Sequence, residues 1–163
     1  MTKTLGISVL IILLLLPLGL LAIGQMGLLS GKRPTDLGLH GGMLKPPVLT
    51  SSNVVSSYAG LQPHTEYHLI APLKYSGDGK TAFGKLAGIV GKMDGATVVT
   101  SDAGYLYAEF QTRLLKFVDD VEFVLDESAG VIQMRSASRL GIKDLGANRQ
   151  RLEDIRQRFN GQQ

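Results

Sequence analysis

The stretch FVDDVEFVLDESAGVIQMRS, residues 117–136, carries the strongest secondary-structure pattern of this chain. Its first half alternates in polarity, which places Val121 and Phe123 on one face of a strand and Asp120 and Glu122 on the other. The link DESAG is rich in turn-forming residues, and a second strand-like run follows it at once. Because two strands joined by so short a link pair in opposite directions, the stretch predicts an antiparallel hairpin.

Further strand-like and helical patterns lie on both sides of this hairpin. The predicted strands are 67–73, 96–100, 105–112, 117–125 and 131–136, and the predicted helices are 78–93 and 148–159. The first helix has Asp78 as its N-cap, and both helices carry apolar residues on one face. The order β-α-β-β-β-β-α predicts an α+β domain in which two helices pack on an antiparallel sheet.

A long apolar run precedes the domain. Leu5 to Ile23 contains no charged residue, and thirteen of its residues are Leu or Ile. A helix of this length spans roughly 28 Å, close to the ~30 Å hydrocarbon core of a bilayer. The run therefore predicts a single-pass transmembrane helix that includes Ile12 and is surrounded by membrane lipid. Pro17 predicts a kink, because proline removes a helical hydrogen bond.

A cleaved secretory signal is the competing interpretation of this run. Lys3 supplies a short positive start, and Ala22 and Gly24 place small residues before a possible cleavage site. Signal peptides usually have only about 7–15 apolar residues, which favours an uncleaved anchor. We expect residues 1–24 to be the anchor, 25–62 a Gly/Pro/Ser-rich tether and extended segment over the domain, and 63–163 the α+β domain.

Composition excludes several classes of function. A net charge of +3 is too small to predict nucleic-acid binding. The absence of Cys rules out disulfides, thiolate catalysis and Cys-ligated metals. The sequence contains no nucleophile elbow, dinucleotide-binding or phosphate-loop motif. Because His40, His64 and His68 are scattered, we predict no metal site and no cofactor.

Charge is unevenly distributed along the second half of the chain. From Asp94 to Glu127 there are eight acidic and two basic residues, whereas from Arg135 to Arg158 there are seven basic and three acidic residues. These two segments can pair within the fold. We favour that interpretation over two separate binding faces.

The densest polar stretch, residues 135–151, joins the last predicted strand to the last helix. Its arginines could bind an anion near a helix N-terminus, where backbone N–H groups favour negative charge. The candidate ligand-binding residues are Arg135, Ser136, Ser138, Arg139, Asp144, Asn148, Arg149 and Arg151. The alternative, which we favour, is a structural corner whose arginines pair with acids such as Glu109 or Asp119.

The acids upstream of this stretch have two interpretations of their own. Asp119, Asp120 and Glu122 are dense enough to suggest cation binding. Alternation sets Asp119 opposite Asp120, however, and a solvated strand face is the favoured interpretation. We therefore treat Glu109, Asp119 and Asp120 as supporting acids for the arginines and predict no catalytic residue.

The motif R-S-x-S-R-x-G-x-x-D-x-G-x-N-R-x-R at 135–151, with FVDDVEF at 117–123, resembles the bacterial and plastid domain-of-unknown-function family 1499. The resemblance covers about residues 37–156. It implies the fold and membrane association, and it lends no activity. Members commonly carry a Cys pair where residues 52–57 read SNVVSS here, so any redox or metal role of that pair is absent. A bacterial cytoplasmic (inner) membrane with a periplasmic C-terminal domain is the expected location; a cleaved, secreted or periplasmic form is the alternative.

Three functions remain open. The favoured one is a non-enzymatic, membrane-anchored extracytoplasmic accessory subunit that docks on other proteins of a larger membrane or envelope complex. The second is an anionic small-molecule binding protein or enzyme that uses Arg135, Arg139 and Arg151, with Asp144, Glu109 or Asp119 as an acid/base. The third is a last helix lying on anionic lipid, although its apolar residues are better explained as core.

Overall fold

The computed structural model describes the backbone of residues 2–161 and the side chains of residues 13–161. Over this range the chain forms three α-helices, eight β-strands and two short 3₁₀ turns. The helices are α1 (Thr2–Gln25), α2 (Gly79–Val90) and α3 (Ala147–Asn160). The strands are β1 (Leu39–His40), β2 (Met43–Leu44), β3 (Val54–Ser56), β4 (Leu73–Lys74), β5 (Ala96–Ser101), β6 (Tyr105–Gln111), β7 (Val118–Asp126) and β8 (Val131–Ser138), and the 3₁₀ turns are Ala59–Leu61 and Glu66–His68.

Six strands form one antiparallel sheet around the β7–β8 hairpin. The strand order is β3-β8-β7-β6-β5, and β4 pairs with the N-terminal end of β8. In the hairpin Glu122 lies opposite Arg135, and Phe123 lies opposite Met134. β1 and β2 form a separate two-stranded ribbon. The central hairpin therefore has neighbouring strands on both sides, which buries its backbone.

One face of the sheet packs against α2 and α3 and forms the main hydrophobic core. Phe123 from β7 and Phe159 from α3 are among its fully buried side chains. Leu152 and Ile155 of α3 also lie in this core. The Asp78 side chain accepts a hydrogen bond from the Thr81 amide (2.8 Å), which begins α2.

The opposite face of the sheet is polar and is covered by residues 31–50, which we call the strap. The amide of Gly38 donates to Glu122 Oε1 (2.7 Å). The carbonyl of Lys45 accepts from Arg135 Nε (3.1 Å). A small apolar cluster that includes Leu44 and Val124 lies on this same side of the sheet. Both faces of the central strands are therefore covered.

The predicted transmembrane helix at residues 5–23 is wrong. Among the residues that the structure describes, no helix is long and apolar enough to cross a membrane. The side chains of Leu5 and Ile12 lie outside the described residues. α1 continues through Pro17 and ends at the sheet domain.

The fold prediction is also wrong in its number of strands. It has five strands, whereas the described chain has eight; its two domain helices correspond to α2 and α3. Four of the strands contain only two or three residues, too few to show an alternation of polarity. The predicted first strand, 67–73, is partly a 3₁₀ turn, because the ring Nδ1 of His68 accepts from the Thr65 amide (3.0 Å).

Candidate functional site on the charged face of the sheet

The charged face consists of side chains from β6, β7 and β8 that point toward the strap. Asp120 and Glu122 point away from the main core and are only 2% and 0% exposed. The prediction of a solvated strand face is therefore wrong. The strap excludes water from these carboxylates, and arginine partners compensate for the cost of burying their charges.

Glu122 and Arg135 form the most buried ion pair of this face. Arg135 Nη1 lies 3.0 Å from Glu122 Oε2. Tyr105 donates its hydroxyl to Glu122 Oε1 (2.9 Å). Burial, together with the charge of Glu122, raises the pKa of Tyr105 far above its usual value, so the hydroxyl remains a proton donor. The carboxylate thus accepts from the strap, from a tyrosine and from an arginine.

Arg139 joins two acids and a tyrosine beside this pair. Its Nη2 lies 2.7 Å from Asp120 Oδ1 and also pairs with Glu109. The Tyr107 hydroxyl donates to Asp120 Oδ1 (2.6 Å). Burial lowers the pKa of Arg139, but the hydrogen bonds to Asp120 and Glu109 outweigh this effect and raise it. Arg139 therefore stays positively charged although it is nearly enclosed.

Glu109 also connects the sheet to the strap. Arg33 Nε donates to Glu109 Oε1 (2.6 Å). Burial raises the pKa of Glu109, but hydrogen bonds from Arg33, Arg139 and Tyr107 outweigh burial and leave the pKa below its usual value. The ionised carboxylate therefore stabilises the contact between the strap and β6.

A second polar network lies on the core face, where α3 begins. The buried Asn148 side chain donates to Asp144 Oδ2 (2.8 Å), to Ser138 Oγ (2.9 Å) and to the Asn53 carbonyl (3.0 Å). Asp144 also accepts from the Asn148 amide (3.0 Å), so it caps the helix although it precedes the N-terminal residue by three positions. Ser136 donates to the Asn148 side-chain oxygen.

The remaining predicted arginines complete this second network. Arg151 pairs with Asp119, which points toward α3. The guanidinium of Arg149 donates to the carbonyls of Tyr67 (2.6 Å) and Leu69 (2.7 Å). Burial, followed by the hydrogen bond to Asp144, raises the pKa of Tyr67 to about 12. The network ties the start of α3 to the sheet and to the preceding loop.

The predicted ligand-binding residues therefore do not meet at one centre. Arg135 and Arg139 lie on the strap side, whereas Ser136, Asp144, Asn148, Arg149 and Arg151 lie at the start of α3, and Ser138 bonds to Asn148. Each of these guanidinium groups has a carboxylate or carbonyl partner, as a structural corner requires. Anion binding by the whole set stays a prediction, and the structure does not bring these residues together around one point.

Metal binding also finds no assembled site in the described part of the chain. No group of three or more His, Cys, Asp or Glu side chains there could hold a metal ion. His68 is buried, and its Nε2 bonds to the Ser51 carbonyl (2.9 Å). His64 bonds to the Gln62 carbonyl at the surface (2.8 Å). These rings stabilise turns.

The sequence does not predict the contacts that the strap makes with the charged face. Arg33, Gly38 and Lys45 all contact the charged face, but they lie in a Gly/Pro-rich segment without periodicity. These contacts join residues more than seventy positions apart in the sequence, so local patterns carry no signal for them. The excess of acids in residues 94–127 was the available hint that basic partners were needed.

A family model described as "Protein of unknown function (DUF1499)" matches residues 45–159. The chain belongs to this family. The resemblance seen in residues 117–123 and 135–151 is thereby confirmed. The match to DUF1499 contains all six strands of the main sheet, the whole of α2, and α3 except for its last residue. Comparison with curated proteins and with solved structures gave no match.

Proposed function

We propose that this DUF1499 protein is a non-catalytic, membrane-associated accessory domain. In this proposal the α1 end of the molecule lies against an apolar membrane environment, and the folded domain docks on a larger membrane or envelope complex. The observation that carries the proposal is the concentration of exposed large apolar side chains at that end. We place the domain in the periplasm, at the bacterial cytoplasmic membrane.

α1 is the first part of this apolar end. Leu13, Leu16 and Leu18 are each 61–65% exposed. Between residue 13 and Ile23 the helix has no charged residue on any side. A helix that is apolar all round is stable only when other apolar groups cover it. The domain covers little of the part of α1 whose side chains are described, so lipid or a partner would supply the covering groups.

The end of the sheet that contacts α1 is also apolar at its surface. The Gln25 side chain donates to the Leu114 carbonyl (2.7 Å), and Ser30 Oγ donates to the Lys116 carbonyl (3.1 Å). These contacts hold α1 beside the loop between β6 and β7. Five large apolar side chains are exposed around this junction: Met26, Leu28, Leu114, Leu140 and Ile142. A soluble monomer rarely exposes so many apolar side chains together.

Basic residues accompany these apolar ones. Lys32, Arg113, Lys116 and Lys143 lie in the same loops as the exposed apolar side chains. Apolar side chains mixed with Lys and Arg favour the interface of a membrane that contains anionic lipid. The hairpin loop at the opposite end of β7, which contains Glu127, is acidic instead. The charge distribution therefore supports one membrane-facing end.

Introduced tryptophans can test this orientation, because the chain has no Trp. Leu114→Trp places a reporter at the proposed membrane-facing end, and Ala129→Trp places a matched control in the β7–β8 loop at the far end. The full chain is reconstituted into vesicles with brominated lipid. We expect strong quenching of Leu114→Trp fluorescence and almost none for Ala129→Trp. Equal quenching of both reporters, or none at position 114, would overturn the orientation.

The accessory role requires a separate experiment. The tagged full chain is solubilised from host membranes in a mild detergent, and the mass of the native particle is measured. We expect a complex larger than the 17.5 kDa monomer. A particle of monomer mass alone would contradict docking on a larger complex and would leave the lipid contact to be judged by the tryptophan experiment.

A further inference from the structure

A cavity of about 330 Å³ lies between the strap and the end of the sheet near α1. Residues of the strap form one wall, and residues of β3, β8 and the loop after β8 form the other. The volume lies within the ~300–1,000 Å³ typical of small-molecule sites. Asn53 and Ser138 lie in its lining and also contact Asn148 in the network at the start of α3.

The charged side chains that line this cavity are mainly cationic. Lys32, Lys45, Arg135 and Arg139 line it, together with a single carboxylate, that of Asp120. Asp120 already accepts from Arg139, so its charge is compensated. Lys45 pairs with Asp36, but Lys32 forms no ion pair with any described residue. The cavity therefore has a positive charge that the described residues do not neutralise.

Two buried guanidinium groups also keep unused donors. Arg135 uses Nε and Nη1, and Arg139 uses Nε and Nη2, for their bonds to the described protein. Arg135 Nη2 and Arg139 Nη1 have no acceptor among the described residues, although each side chain is only 6% exposed.

These unused donors are accessible rather than sealed in the protein. Gln62 Oε1 is the single fully buried side-chain polar atom without a partner in the described part of the chain. The two arginine nitrogens therefore retain accessible surface, and the surface that both side chains share is the cavity wall. Such N–H groups bind the oxygens of carboxylates and phosphates.

The mouth of the cavity is apolar, whereas its base is cationic. Pro34, Leu37, Pro46, Val48 and Ile142 add apolar surface to the lining. Val48 and Ile142 are 57% and 69% exposed, so they lie at the solvent side. A ligand that matches both parts has an anionic oxygen group for the base and a short aliphatic part for the mouth.

We propose that the strap cavity binds a small amphiphile with a carboxylate or phosphate head. The head contacts Arg135 Nη2 and Arg139 Nη1, Lys32 contributes an unpaired positive charge, and the aliphatic part lies against Val48 and Ile142. The site goes beyond membrane association, because it recognises a single molecule rather than a surface. The same head chemistry occurs in free anions and in anionic lipids, so the test separates these sources.

The primary test is calorimetric titration of the full chain in a neutral detergent with butyl phosphate, inorganic phosphate and butyltrimethylammonium. We expect butyl phosphate to bind, inorganic phosphate to bind more weakly, and the cation not to bind. Equal binding of the cation and butyl phosphate, or no binding of butyl phosphate, would overturn the proposal. Inorganic phosphate binding as tightly as butyl phosphate would overturn the amphiphile assignment.

Variants locate the binding and control for folding. Lys32→Glu alters an exposed side chain and should weaken butyl phosphate binding about tenfold or more, through reversal of a nearby charge. Lys92→Glu, an equivalent change outside the cavity, should leave it unaltered. Ala137→Val fills part of the cavity without changing charge, and it should also weaken binding while thermal unfolding shows an intact fold. Equal affinity of the wild type and Lys32→Glu would contradict the site.

Vesicles distinguish a free anion from a lipid surface. Phosphatidylcholine vesicles with and without phosphatidic acid are titrated in parallel with the same variants. A loss of butyl phosphate binding in Lys32→Glu supports the cavity, whatever its effect on vesicles. If Lys32→Glu weakens only the binding of phosphatidic acid vesicles, Lys32 serves a membrane surface and the cavity proposal fails.

Discussion

The two faces of the sheet are both buried but are stabilised in different ways. Phe123 and Glu122 are neighbours on β7 and are both 0% exposed. Phe123 packs in the hydrophobic core, where burial of hydrocarbon is the stabilising contribution. Glu122 pairs with Arg135, where attraction must first offset the loss of hydration. Alternation in a strand therefore identifies the apolar face, but it does not show whether the other face is exposed.

The largest loss of stability should come from a substitution on the apolar face of the sheet. Phe123→Ala removes a fully buried ring and should lower the free energy of unfolding by about 3–5 kcal/mol, measured by urea denaturation. Val99→Ala, at a part-exposed position of the edge strand β5, is the control and should cost well under about 1 kcal/mol. Similar losses for both variants would mean that β7 is not the centre of the core.

Breaking the central ion pair of the charged face should lower the free energy of unfolding by nearly as much. Glu122→Gln keeps the shape of the side chain but leaves Arg135 without its counter-charge, so we expect a loss of about 3 kcal/mol. Replacing both residues by Met should recover most of this loss, because neither charge is then buried alone. A loss below about 0.5 kcal/mol for Glu122→Gln would be the behaviour of a surface pair and would contradict burial under the strap.

The strap contact at Glu109 should give a smaller, pH-dependent effect. Its pKa is lowered in the folded chain, so its contribution is present above the unfolded carboxyl pKa, about 4.3, and is lost as the pH falls through the folded value. Glu109→Gln should cost about 1–2 kcal/mol at pH 7 and much less under acidic conditions. Unfolding measured across pH 3–7 checks this, and a cost independent of pH would contradict it.

The smallest effect should come from a part-exposed pair. Glu153 contacts Arg156 on α3, and their side chains are 42% and 20% exposed, so water screens the charges. Glu153→Gln should change stability by less than about 0.5 kcal/mol, because ion pairs in contact with solvent contribute little. A larger loss of stability, measured by thermal unfolding at moderate salt, would mean that burial does not distinguish strong from weak ion pairs in this protein.

The sequence predicts the hairpin and the longer elements well because these depend on local periodicity. The strands β5 to β8 and the helices α2 and α3 lie within about three residues of their predicted ends. The two- and three-residue strands are fixed by partners far along the chain, such as Ser56 opposite Arg135. Local patterns carry no such information.

The candidate site was only partly predictable for the same reason. Pairing of Arg139 with Glu109 and of Arg151 with Asp119 follows the charge excess of two sequence segments. Burial of Asp120 and Glu122 depends on the strap, whose Gly38 amide reaches Glu122 from 84 positions away. The alternation of polar and apolar residues along a strand is the same whether water or the strap covers the polar face.

The most direct test of the buried charged face is a double-mutant cycle with Glu122→Gln, Arg135→Met and the combined variant. The free energy of unfolding of the four full-length proteins gives the coupling between the two side chains. We predict a favourable coupling of at least about 2 kcal/mol, near the upper part of the range for residues in one buried network. A coupling close to zero would mean that water rather than the strap covers this face, and it would contradict the account.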